Sequence, residues 1–254
     1  MTAIHVENND SILHVRLARP EVRNAFDETL IRELREVFSE PPEGARVIVL
    51  SGEGAVFSAG ADLRWMANVG QSNESDNIQG ALELGSLFDT IDQCVLPVIC
   101  AVHGSAMGGA LGLMSACDVV FADEECKFGF REVRLGLVPA VISPLVVRRI
   151  GQSAARRYFI TGEVFGSDAA KEMGLVHEVA LEGTVMEHAT AMAYNMKKCG
   201  PGAVREVKLL LRGLADNSFP DVRLHTAQLI ARLRASSEAS EGIAAFLQKR
   251  DPSW

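Results

Sequence analysis

The chain has 254 residues, 48% of them hydrophobic and 23% charged, and a formal net charge of −8. A sequence of this length and balance can bury a substantial core, as one large domain or two small ones. The acidic excess and the lack of a basic stripe argue against a nucleic-acid surface, and five cysteines without a CxxC pair predict reduced thiols in a cytosolic protein.

The first residues, "MTAIHVENNDSILHV", have no basic segment leading into an apolar one, so no secretory signal is expected. Residues 11–17, "SILHVRL", alternate apolar and polar, as a half-buried strand does. "RPEVRNAFD" reads as a loop, and Asp27 can cap a helix over 28–38. "ARVIVLSG" (45–52), "PVICAV" (97–102) and "DVVFAD" (118–123) are short apolar runs of the kind found in buried strands. The stretch 94–117 is long and apolar, but Pro97 and His103-Gly104-Ser105 interrupt it. A strand, a glycine turn and a buried helix account for it better than a membrane span.

Strands alternating with helices predict an α/β arrangement with crossovers. After about residue 143 the pattern is almost all helical, with Ser153 and Ser167 as N-caps and Gly151 and Gly200 as helix ends. Residues 220–248 read as a last helical segment. With no repeat or linker, the expected division is a core over 1–195 and a C-terminal helical region over 196–254.

Several chemistries are absent from the motifs. "SGEGAVF" lacks the third glycine of a dinucleotide fingerprint, no Walker lysine follows a glycine loop, and no GxSxG elbow occurs. The six histidines show no zinc-site spacing, and His103 is expected to be structural. Two glycine-bearing turns remain, "FSAGADL" (57–63) and "HGSAMGG" (103–109), each after an expected strand. Gly108, Gly109 and Gly112 each cost a helix about 1 kcal/mol relative to alanine. Glycine at such turns lets a ligand approach the main chain, and a helix start leaves N–H groups free for negative charge. Two such turns can form an oxyanion hole; equally, the glycines can serve tight strand–helix packing.

"FSAGADL", "HGSAMGGALGLMSACDVVFAD" and "KFGFREVRLGLVP", with "RPEVRNAF" before and "EGIAAFLQKR" after, resemble the crotonase family of enoyl-CoA hydratases and isomerases. The match runs over nearly the whole chain. The resemblance implies a spiral of ββα turns and C-terminal helices that assemble trimers, often paired into hexamers. It also implies an acyl-CoA thioester substrate and no metal or redox cofactor. Carried onto this sequence, the oxyanion donors are the N–H groups of Ala61 and Gly109, beside Gly108. Ala59 through Arg64, with Asp62 and Leu63, would receive the CoA. Arg23 and Lys249 match basic positions near the CoA phosphates.

Hydratases of this family typically use two glutamates. One matches Glu132, but Gly112 stands where the other is expected. A positioned acid or base contributes about 10²–10⁴ in rate, so the loss has to be compensated. Glu132 could work alone, a substrate carboxylate could enter the room beside Gly112, or the enzyme could be an isomerase, which needs a single glutamate. Asp62, Glu83 and Asp118 are other carboxylates, with Asp62 and Asp118 expected to be structural. The segment after Glu132, "GLVPAVISPLVVRRIG", is similar to bacterial methylglutaconyl-CoA hydratases of leucine breakdown, whose substrates bear a distal carboxylate. The resemblance thus implies interconversion of 3-hydroxy-3-methylglutaryl-CoA and 3-methylglutaconyl-CoA. An enoyl-CoA isomerase and a non-catalytic acyl-CoA- or RNA-binding member of the fold are the alternatives.

Overall fold

The apolar runs expected as strands lie side by side in one sheet. In chain order the elements are β1 (Ile4–Asn9), β2 (Ile12–Leu17), α1 (Glu28–Ser39), β3 (Val47–Gly52), α2 (Leu63–Gly70), α3 (Glu74–Asp92), β4 (Val98–Val102) and β5 (Ser105–Met107). Then follow α4 (Gly109–Ala116), β6 (Val119–Asp123), β7 (Lys127–Gly129), α5 (Ser143–Thr161), β8 (Phe165–Gly166), α6 (Ser167–Glu172) and β9 (Glu178–Ala180). The chain closes with α7 (Val185–Lys197), α8 (Pro201–Ala215), α9 (Val222–Arg234) and α10 (Ser237–Gln248). The computed structural model describes residues 2–216 and 218–254.

The larger sheet has the order β1-β2-β3-β4-β6-β9 and is parallel except between β1 and β2. In the smaller, β7 lies between a parallel β5 and an antiparallel β8. The chain crosses from the larger to the smaller sheet twice, as β4–β5 and as β6–β7, and each pair is followed by a helix, α4 or α5. These are the ββα turns of the expected spiral.

The central strands are apolar throughout because both faces of the larger sheet are covered. Ile48 and Leu50 of β3, with Val98, Cys100 and Val102 of β4, point into the main core. Val47, Val49, Ile99 and Ala101 face the other way, against Val185, Ala189 and Ala193 of α7. The small alanines let α7 lie close on the sheet.

Helix α4 is buried from Ala110 through Ala116, which explains its apolar character on every side. Its weak glycine-bearing start is offset at the other end. Arg149 Nη1 donates to the carbonyls of Met114 (3.0 Å), Ser115 (3.1 Å) and Cys117 (2.7 Å), at a helix end where carbonyls run short of backbone donors. The segment 94–117 is therefore two strands and a buried helix, and among the described residues no helix is long and apolar enough to cross a membrane.

Several expected boundaries move. Gly200 is the N-cap of α8, not the end of α7. The N–H groups of Gly202 and Ala203 there donate to the Glu238 carboxylate at 2.9 and 2.8 Å. Ser167 is the first residue of α6 after an N-cap at Gly166, and its hydroxyl bonds to the Asp123 carbonyl. Ser153 lies inside α5, although Gly151 breaks that helix with φ 74° and ψ 165°. The segment 220–248 is two helices, the second capped by Ser236. The boundary expected near residue 196 falls in the last turn of α7. Beyond it Lys208 ties α8 to the core, through Asp118 at 2.6 Å and the Leu96 carbonyl at 2.9 Å.

Candidate active site

The loop "RPEVRNAF", which reads as a simple connection, braces the first glycine turn. Asn24 is fully buried with φ 53°. Its side-chain nitrogen lies within 3.0 Å of the carbonyls of Glu53, Val56 and Phe57. The Ser58 hydroxyl donates to the Asn24 carbonyl at 2.8 Å and accepts from the Gly60 N–H at 3.1 Å. Phe26 N–H donates to the Gly60 carbonyl, and Asp62 N–H to the Phe26 carbonyl. This pairing around Phe26 leaves the Ala61 N–H directed to the opposite side.

The second glycine turn meets the first from across the chain. Met107 N–H donates to Ser58 and Gly108 N–H to Gly129, which holds the start of α4 in place. Gly60 has φ +85°, and a Cβ there would overlap the Met107 carbonyl oxygen and lie 3.2 Å from the Gly109 nitrogen. A Cβ on Gly109 would lie 3.9 Å from the Ala61 nitrogen and 3.3 Å from the Phe26 ring. The two turns thus pack backbone to backbone, so tight packing and donor placement are the same arrangement. Among the described residues neither the Ala61 nor the Gly109 N–H donates to a protein acceptor, and Gly109 opens α4, where the helix dipole favours negative charge.

Glu132 stands beside this pair, in a short 3-10 turn after β7. Gly108, at φ +52°, gives it room: a Cβ there would come within 3.2 Å of Glu132 Oε1. Glu132 Oε2 is buried without a hydrogen-bond partner. Burial pushes the carboxyl above the usual carboxylate range, outweighing a backbone hydrogen bond that acts the other way. A carboxyl with one unpartnered buried oxygen and a raised pKa in a cleft is poised to exchange a proton.

Its titration also bears on stability. Below the ordinary carboxylate pKa of about 4.3 the group is neutral both folded and unfolded. As pH rises through the raised folded value, the fold must carry a desolvated charge and loses stability. Glu132→Gln is therefore expected to raise Tm at neutral pH and to leave it unchanged in acid. Coincident Tm curves at every pH would show that the carboxyl is not desolvated.

An inner cavity of about 340 Å³ opens onto Ala61, Gly108, Gly109 and Glu132, and its remaining wall is apolar apart from Arg131. An adjoining outer cavity of about 760 Å³ is bordered by Ala59, Ala61, Asp62, Leu63 and Arg64, with Arg131 and Arg134. The structure thus brings the expected Ala59–Arg64 segment, Gly108, Gly109 and Glu132 to one cleft. Asp62 also caps α2, accepting from the N–H groups of Arg64 (2.8 Å) and Trp65 (3.2 Å).

Three expected residues lie elsewhere. Gly112 is buried and borders neither cavity, because Ile142 and Phe88 fill the space around it; no room for a substrate carboxylate exists there. Arg23 is exposed and contributes its backbone carbonyl to the Ala59 N–H, without bordering the cleft. Lys249 terminates α10, also away from both cavities. Among other carboxylates, Asp118 is engaged by Lys208 and the Val98 N–H, and Glu83 lies on the exposed side of α3. His103 bonds to the Gly54 carbonyl at 3.0 Å. Arg131, Arg134 and Ile142 were not singled out by sequence. The two arginines flank Glu132 as ordinary surface charges would, and Ile142 reads as one more core residue.

Among the described residues no three His, Cys, Asp or Glu side chains gather as a metal site. The enoyl-CoA hydratase/isomerase family pattern matches residues 7–254. A Thermus thermophilus protein named for enoyl-CoA hydratase activity is 36% identical over 242 residues, 94% of this chain and 95% of that protein. The 2,3-dehydroadipyl-CoA hydratase of Escherichia coli is 31% identical over 257 residues, 100% of this chain and 99% of its own. The crystal structure of an enoyl-CoA hydratase from Shewanella pealeana superposes with a TM-score of 0.93 at 37% identity, over 99% of this chain and 96% of that one. With the family pattern spanning nearly the whole sequence and the same fold in these relatives, the chain belongs to the enoyl-CoA hydratase/isomerase family.

Proposed function

We propose that the protein adds water to 2-enoyl-CoA thioesters and removes it from 3-hydroxyacyl-CoA thioesters, with Glu132 as the single acid–base residue. The observation that carries this reading is Glu132, with one buried oxygen unpartnered, beside the backbone donors Ala61 and Gly109 on an inner cavity where, among the described residues, no second carboxylate lies. The thioester oxygen would accept from both N–H groups. Glu132 takes a proton from water as its oxygen bonds to C3, and the C2=C3 electrons move toward the thioester oxygen, which becomes enolate-like. Glu132 then returns a proton to C2 from the same face. Dehydration is the reverse. The cofactor expectation stands as part of this proposal: CoA enters as substrate, and the chemistry asks for nothing else.

The outer cavity suits the CoA portion, with Arg64, Arg131 and Arg134 along its wall. The acyl group we assign is the 3-hydroxy-3-methylglutaryl/3-methylglutaconyl pair of leucine breakdown. Its distal carboxylate would pair with Arg131, among the described residues the one cationic side chain on the inner wall, not with the filled space at Gly112. The relative named for a dehydroadipyl thioester supports a substrate carrying a second carboxyl group. The apolar inner wall favours a second reading, an uncharged enoyl chain. A screen in ¹⁸O-labelled water decides. Label entering the product shows hydration, and its absence with double-bond migration identifies an isomerase. A higher kcat/KM for methylglutaconyl-CoA than for crotonyl-CoA, reversed in Arg131→Met, would support the assigned substrate, and a preference for crotonyl-CoA in the wild type would refute it.

We further propose a homotrimer or a dimer of trimers in the cytoplasm. Exposed apolar side chains on the last helices, including Leu211 (61%), Phe246 (84%) and Leu247 (75%), support burial against further copies. Light scattering should return three or six chains; a monomer would refute the assembly.

A further inference from the structure

The single-carboxylate mechanism leaves one close contact at the cleft without a role. Gly112 and Ile142 face each other across the wall between α4 and the inner cavity. A Cβ on Gly112 would overlap Ile142 Cγ2 and lie 2.9 Å from Ile142 Cβ and 3.2 Å from Phe88 Cζ. Ile142 is therefore seated on the bare backbone of α4, and only glycine at 112 lets it sit so far back. Its other side borders the inner cavity. Of the residues around that cavity only Ile142 and Pro139 are buried, while the rest are at least partly open to solvent. They accordingly form its floor.

Ile142 is β-branched and stiff at χ1, and it is packed against the α4 backbone at Gly112, which cannot yield cheaply. We propose that Ile142, held in place by Gly112, is the stop at the inner end of the acyl cavity and sets the length of acyl chain the protein admits. This rests on the inner cavity being the acyl-thioester site of the proposed function. The pair also explains why one carboxylate is missing: an isoleucine occupies the volume that a longer side chain at 112 would need.

The test measures affinity, so it does not depend on turnover. Butyryl-, hexanoyl-, octanoyl- and decanoyl-CoA are titrated calorimetrically into the full chain and its folded variants. In the wild type, affinity should rise with added methylenes and then level off at one length. Ile142→Ala should move that limit to longer chains and raise affinity for the first chain beyond it about tenfold or more, the discrimination one methylene gives in a hydrophobic pocket. Ile142→Val, a milder change, should act in the same direction with a smaller effect. Gly112→Ala should press Ile142 into the cavity and shorten the limit, and the double Gly112→Ala/Ile142→Ala variant should lengthen it again. A limit unchanged in both Ile142 variants overturns the proposal even if the enzyme hydrates enoyl thioesters. A limit that shifts as described supports it even if no water is exchanged, in which case the proposed activity alone fails. A wild type that binds none of the four overturns both.

Discussion

Glu132→Gln is expected to lower kcat for hydration by about 10²–10⁴ while acyl-CoA affinity stays close to that of the wild type. The amide keeps the shape of the carboxyl but cannot take the proton from water or return one to C2. Among the described residues no other carboxylate borders the inner cavity, so no neighbour there can assume the role. Substrate binding depends on the backbone donors and the cavity walls, which the substitution leaves in place. Single-turnover kinetics with a separate binding titration check both halves. Burial holds the Glu132 carboxyl above its ordinary range, and hydration needs its ionised form. The acid limb of kcat/KM should therefore lie above pH ~4.3 and rise with pH. Retained turnover in Glu132→Gln would refute the single-glutamate mechanism.

Gly109→Pro is expected to lower kcat by about 10²–10³ relative to Gly109→Ala, the loss typical of one oxyanion donor. Position 109 is the first residue of α4, where proline fits a helix and removes only an N–H that the helix does not use. Both variants add a Cβ that lies 3.3 Å from the Phe26 ring, so the alanine form controls for that crowding. What differs is the donor and the proline ring that takes its place. Equal kcat in the two variants would show that the Gly109 N–H does not hold the developing negative charge.

The parts of the fold that could be read from the sequence are those that local chemistry fixes. Strands β3, β4 and β6 are visible as apolar runs because both faces of the sheet they form are buried. Helix α1 begins where expected because the Asp27 side chain accepts from the Leu30 N–H at 2.9 Å, a bond made within one turn. Strand β1 was not visible: it is an edge strand with only Ile4 buried, and its alternation stops after Val6, too short to register. Strands β5, β7 and β8 have two or three residues each, too few for any period to register. Gly200 looks like a helix end but starts α8, because the carboxylate that caps it comes from Glu238 on α10.

The same division holds at the site. Glycine at 60, 108 and 109 and a glutamate at 132 were determined by the sequence, and with them the chemistry of a backbone oxyanion hole served by one carboxyl. Tertiary structure alone decided that these groups share a cleft, that Asn24 and Phe26 brace it, and that Arg131 and Arg134 join the expected Arg64 beside it. It also reversed the meaning of Gly112. In the sequence, the lost side chain suggests empty space for a substrate group; in the fold, Ile142 has taken that space. A missing side chain leaves a cavity only where no neighbour can move into it, and the neighbour here comes from thirty residues further along the chain, where no local pattern can announce it.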